Sequence, residues 1–240
     1  METQAKPAGA INILYIHGMG GGGDSRIPSI LNDNLGAALP EGLRGRVRVI
    51  VRTYPFDPAA GHAMIASWVE ELQPALVIGE SLGSLQALRI RGIPHLFVSP
   101  SLNAPLYLGY LSFLSLIPGV TWLLDMVYRP KPGDRQSLHF TFRTLCRYIA
   151  HRRDALSGLP AAGNGQSGPA GEFFAFFGER DHYRRSGIVS IRTWRKYFGE
   201  GTWATYPGTH FMEEEYVLSL LIPKIVSVLV LMQDGSPVHP

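Results

Sequence analysis

The chain holds a single cysteine, Cys146, so no internal disulfide can staple it, and a reducing compartment suits it. Charge is scarce too. Asp, Glu, Lys and Arg make up 17% of the 240 residues, against 45% hydrophobic ones. That balance excludes a disordered chain and provides for one large core, so a single domain spanning residues 1–240 is expected. The sequence pI of about 9.1 reflects a formal excess of only +3. No dense Lys/Arg run with interleaved aromatics is present, so nucleic acid is not an expected partner. The eight histidines show no paired ligand spacing, which argues against a metal site. Met1 to Ala10 is polar and lacks the apolar core of a secretory signal, which makes the cytoplasm the expected location.

What is present alternates regularly. Apolar, β-branched runs at Ile11–Ile16, Val47–Tyr54, Ala75–Ile78, His95–Val98, Phe173–Phe177 and Thr202–Tyr206 read as strands. Between them, apolar residues recur at helical spacing: Ile27, Ile30, Leu31 and Leu35, then Met64, Ile65, Trp68, Val69 and Leu72, then Leu82, Leu85 and Leu88. Ile188, Ile191 and Trp194 mark a later helix. A last helix runs from about Glu213 to Met232, with Pro223 expected to bend it. This order predicts an α/β fold with a mostly parallel central sheet and helices on both faces. Ligand chemistry in such sheets sits outside the carboxyl ends of the strands. Ala161–Gly171 is a low-complexity stretch and reads as a loop.

Gly79-Glu80-Ser81-Leu82-Gly83 matches G-x-S-x-G, directly after a strand and before a helix. A sharp turn there lifts the serine hydroxyl above the sheet and needs small flanking residues so that neighbouring chains do not collide. Taken alone, the pentapeptide also fits a plain Gly/Ser turn with Ser81 capping the helix. His17-Gly18-Met19-Gly20 follows the first strand. Its flexible backbone can aim N–H groups at an anion, and the N–H groups of Met19 and Leu82 are the candidate oxyanion donors. The glycine run lacks the lysine of a phosphate loop and the spacing of a dinucleotide fingerprint. His17, Gly18 and Gly20 are the candidate substrate contacts.

Asp181 and His210 each fall just past a strand, in Gly-Glu-Arg-Asp and Pro-Gly-Thr-His. The chain order Ser, Asp, His is the one a nucleophile elbow requires. In that arrangement the acid holds the imidazole in one tautomer, and the imidazole moves the serine proton. Glu179 and His182 are near enough to compete for these roles. Asp154 is a further candidate acid, in a helical stretch.

The HGMGG, GESLG, FFGERD and GTHF segments together resemble the α/β-hydrolase superfamily, most closely its small bacterial esterase-like members. The resemblance covers the chain outside Ser101–Gly171. It implies a covalent acyl-enzyme, a small-molecule ester substrate and no cofactor. Two features depart from the pattern. Only ten residues precede Ile11, so the sheet is expected to be a short version. Glu80 beside the nucleophile has no role that the sequence explains.

Residues 101–171 stand where the superfamily inserts a lid or cap. Leu102–Leu124 carries no charge and is long enough for a membrane span, but Asn103, Pro105, Gly109, Pro118 and Gly119 oppose that reading. A lid lining an acyl pocket, or a plain cover of the sheet, is favoured over a lid that touches a membrane. Arg143, Arg147 and His151 follow at four-residue steps, a stripe that suits either an acidic substrate group or a solvated helix face. A carboxylesterase is the leading expectation. A thioesterase or acyltransferase on the same residues, and a non-catalytic binder of the same fold, are the alternatives. Oligomeric state leaves no trace in the sequence.

Overall fold

A computed structural model describes residues 9–157 and 173–233. The Ala161–Gly171 stretch, and with it the end of the insertion, lies outside the described residues.

Six strands form one parallel sheet in the order β2-β1-β3-β4-β5-β6. They are β1 (Ile11–Ile16), β2 (Val47–Val51), β3 (Leu76–Glu80), β4 (His95–Val98), β5 (Phe173–Gly178) and β6 (Trp203–Tyr206). The central strands are buried on both faces, which is why they read as continuous apolar runs rather than alternating ones. From β1 the chain moves outward to β2, then returns past β1 to β3. The strand order therefore reverses between β1 and β3, and a crevice opens at such a switch point. The loops after β1 and β3 are HGMGG and GESLG.

Helices cover both faces. On one lie α1 (Arg26–Ala38) and the C-terminal helix α9 (Glu214–Gln233), packed on Tyr15, Ile78, Val98 and Phe176. On the other lie α2 (Pro58–Leu72), α3 (Ser84–Ala87) and α8 (Ile191–Phe198), packed on Leu14, Val77, Phe97 and Phe177. Local chemistry sets the helix ends. The Asp57 carboxylate accepts from the amides of Ala59 and Ala60, with Pro58 in the first helical position. Ser190 caps α8 through Thr193 N–H. That cap starts the helix at Ile191, three residues after Ile188.

Several strand ends shift by one to three residues from the sequence reading, and two local features have a clear physical cause. β2 stops at Val51 rather than Tyr54, because the next residues turn to serve the loop after β1. Tyr54 donates its hydroxyl to the His17 carbonyl at 2.6 Å, and Thr53 accepts from Gly23 N–H. In α9 the chain widens to a π turn over Val217–Leu221 just before Pro223, which has no N–H to bond back. This helix is long and apolar enough to cross a membrane. One face of it, including Val217, Leu221, Ile225 and Leu229, is buried against the sheet.

The insertion after β4 forms α4 (Ala104–Leu114), α5 (Val120–Val127) and α6 (Phe142–Leu156). The uncharged stretch from Leu102 is thus split at Pro118-Gly119 into two helices, each too short to span a bilayer. Gly109 lets α4 approach α6, since a Cβ there would lie 2.7 Å from Ile149 Cδ1.

Candidate active site

The elbow after β3 is built as its spacing predicts. Ser81 holds a left-handed φ of 49°, a strained conformation for a non-glycine residue. A Cβ on Gly83 would lie 2.2 Å from the His17 carbonyl oxygen, and one on Gly18 would lie 2.9 Å from Ser81 Cβ. Glycine at these positions lets the two loops of the switch point press together.

Three side chains converge above the sheet edge. Ser81 Oγ lies 2.8 Å from His210 Nε2. His210 Nδ1 lies 2.7 Å from Asp181 Oδ2. Asp181 and His210 are both almost fully buried. The other Asp181 oxygen accepts from Tyr183 N–H at 2.8 Å and caps α7 (His182–Ser186). One carboxylate therefore starts a helix and orients the imidazole. The parallel register of β5 with β6, Gly178 beside Tyr206, brings the loops carrying Asp181 and His210 together.

The competing residues lie elsewhere. Glu179 accepts from Thr205 at 3.0 Å. His182 packs tilted on Tyr183 and meets only the edge of His210, at 6.4 Å between ring centres. Asp154 pairs with Arg153 on α6. The Arg stripe does not face this crevice either. Arg147 binds Asp57, His151 is buried beside Arg89, and Arg143 is exposed.

Within HGMGG the residues divide. Gly18, Met19 and Gly20 line a cavity of about 530 Å3 that includes Ser81, Leu82 and His210. His17, expected to touch substrate, does not line it. Its ring is fully buried, stacks on Tyr54 at 4.3 Å and bonds Gly18 O through Nδ1. Burial drives its pKa down to about 4, so it is a neutral support beneath the loop. Gly20 N–H is taken by Gln136 at 3.2 Å and Gly21 N–H by Gly18 O. Met19 N–H has no acceptor among the described residues. Leu82 follows the nucleophile at a helix start, where early N–H groups have no intrahelical partner.

Several neighbours were not legible in the sequence. Ser101, just past β4, lies 3.1 Å from Ser81 Oγ and donates its N–H to Ser81 O. Its place at a strand's carboxyl end was the one available signal. Tyr183 packs edge-on against His210 at 4.7 Å. Gln136 reaches in from the insertion and ties Gly20, Gly21 and Tyr54 together. Glu80 also lines the cavity and accepts from Tyr15 at 2.9 Å. Burial pushes its carboxyl above the usual range, while Tyr15, His210 and Arg26 oppose that rise.

By sequence, neither a family model nor a curated protein matches the chain. Solved structures do. Est1E from Butyrivibrio proteoclasticus with bound ferulic acid aligns at 14% identity and TM-score 0.58, covering 93% of this chain and 91% of that one. A putative hydrolase from Agrobacterium vitis aligns at 12% and 0.54, over 91% and 88%. A structure from Nitrososphaera gargenis, described with its carboxylesterases, aligns at 14% and 0.51, over 96% and 94%. The chain has the α/β-hydrolase fold. Among the described residues the sheet has six strands, all parallel, and the strand that leads to His17 is β1.

Proposed function

We propose that this α/β-hydrolase-fold chain is a serine hydrolase that cleaves carboxylic esters of small or medium acyl groups. One observation carries the reading: the Ser81–His210–Asp181 relay, with links of 2.8 and 2.7 Å, opens into a cavity. Ser81 Oγ attacks the ester carbonyl as His210 Nε2 takes its proton. The N–H groups of Met19 and Leu82 receive the oxyanion. Collapse expels the alcohol, which leaves with the proton from His210, and the acyl group stays on Ser81. Water then gives its proton to His210 and attacks the acyl carbonyl. The carboxylic acid departs as the proton returns to Ser81. Asp181 holds the imidazole in the tautomer that this cycle needs.

The cavity supports the substrate class. Ala104, Leu108, Leu111, Phe140 and Ile188 give it an apolar wall, and its volume lies in the ordinary range for small-molecule sites. Esterases among the structures of the same fold are consistent with this reading.

The test is a fluorophosphonate probe on the purified chain, followed by location of the labelled residue. Labelling at Ser81 that disappears in Ser81→Ala is expected. A folded protein that takes no label would overturn the proposal and favour a non-catalytic binder.

A further inference from the structure

The helix α5 has no buried residue, although it is almost entirely apolar. Trp122 on it is 68% exposed, and Tyr110 and Phe113 on neighbouring α4 are 76% and 67% exposed. Only Leu124 of α5 packs against the core. Single exposed apolar residues are ordinary, but an apolar helix covered by so little, beside such neighbours, marks an interaction surface. We propose that this face of the cap seats the protein on an anionic lipid surface. The inference does not depend on Ser81 being catalytic.

Charge selects the occupant. Residues 101–156 contain seven Lys and Arg against three Asp and Glu, whereas the whole chain has 22 against 19. The excess positive charge is therefore concentrated in the cap. Asp125 is the one acid in α5, and it is occupied by His139 and by the Phe140 amide. Arg129 and Lys131 follow α5 directly. Arg143 adjoins Phe142, whose ring meets Phe113. All three cations are exposed and lack an ion-pair partner among the described residues. A second copy docked by two-fold symmetry would bring two such cationic clusters into one interface, which is repulsive. An anionic bilayer accepts both parts of the surface, the cations at the headgroups and the aromatic rings at the boundary.

The cap also reaches the cavity. Tyr107 and Tyr128 are exposed cap residues that line it, as do the exposed Met19 and Phe211 from outside the cap. An apolar ester leaving a lipid phase would reach Ser81 along apolar side chains. A copy of the chain seated there would stand over the same mouth.

The experiment is co-sedimentation of the full chain with vesicles, either phosphatidylcholine alone or an equal mixture with phosphatidylglycerol. Trp122 fluorescence is followed in parallel, with Trp122→Phe as the control. Binding to the mixed vesicles with a blue shift that the control lacks is expected. Phe113→Ser with Trp122→Ser should weaken partitioning about tenfold or more. Replacing Arg129, Lys131 and Arg143 with Gln should weaken binding to the mixed vesicles about a hundredfold. All these residues are exposed, so unchanged melting temperatures serve as the folding control. No binding of the parent chain to either vesicle, or undiminished binding by the Ser double variant, would overturn the proposal. So would a lipid-free dimer that the Ser double variant abolishes, since that assigns the face to a second copy. Fluorophosphonate labelling of Ser81 in the same samples reports the hydrolase reading separately.

Discussion

The Tyr15 hydroxyl donates a 2.9 Å hydrogen bond to the carboxylate of Glu80, the residue beside the candidate nucleophile. Tyr15 is fully buried near the carboxyl end of β1, so the carboxylate is anchored from below. Burial raises the Glu80 pKa. A carboxyl raised on folding contributes stability at low pH and loses it as pH rises through the folded value. Once pH has risen through that folded value, the charged Glu80 costs stability, and its negative charge would support the imidazolium that His210 forms. Glu80→Gln is expected to flatten the fall of melting temperature with rising pH while lowering kcat about tenfold, on the order of one kcal/mol of lost charge support. Calorimetry and ester kinetics on the same preparation check both signs.

Asp181 serves two donors at once, Tyr183 N–H and His210 Nδ1–H. Asp181→Asn can keep the helix cap, but its amide nitrogen favours the wrong imidazole tautomer. A fall in kcat of about 10³–10⁴ is expected with little change in melting temperature. Circular dichroism melts beside steady-state kinetics separate the two effects.

Gly83 abuts the His17 carbonyl, leaving no room for a methyl group. Gly83→Ala must push the elbow away from the HGMGG loop and shift the Met19 N–H that is proposed to receive the oxyanion. A stability loss of about 1–3 kcal/mol is expected, together with loss of fluorophosphonate labelling. Denaturant titration and labelling give the two readings.

His17 and His95 are both fully buried, and burial lowers each pKa to about 4. Groups kept neutral on folding stabilise the protein above their unfolded pKa, near 6.5. That stability is lost as pH falls from there toward 4. Melting temperature should therefore drop steeply between these values. His95→Gln should flatten the drop, because the replacement does not titrate. A profile equally steep in the variant would contradict this account.

Leu108 and Leu111 lie on the apolar wall of the cavity. Leu111→Trp is expected to fill part of it and to lower kcat/KM for longer acyl esters more than tenfold relative to acetate, since excess volume in a shaped pocket cannot be absorbed cheaply. A series of p-nitrophenyl esters measures the ratio.

The sheet was legible because parallel strands buried on both faces leave short apolar runs, and each such run stands in the fold as a strand. The Ser81, Asp181 and His210 positions could be located because each falls in a short loop past a strand, and parallel strands put all those loops on one edge. Ser101 carried the same mark, past β4, but its contact with Ser81, like the places of Glu80 and Tyr183 beside the site, depends on how separate loops pack.

His17 shows where pattern reading ends. The motif announced a loop after β1, and only packing decided that the imidazole turns inward onto Tyr54 while the next residues face the cavity. The same holds for the cap. Its uncharged length was plain in the sequence, but whether it would be buried against the sheet, cross a bilayer or stand exposed was not. Hydropathy depends on each residue alone, whereas burial depends on which distant residues come to cover it.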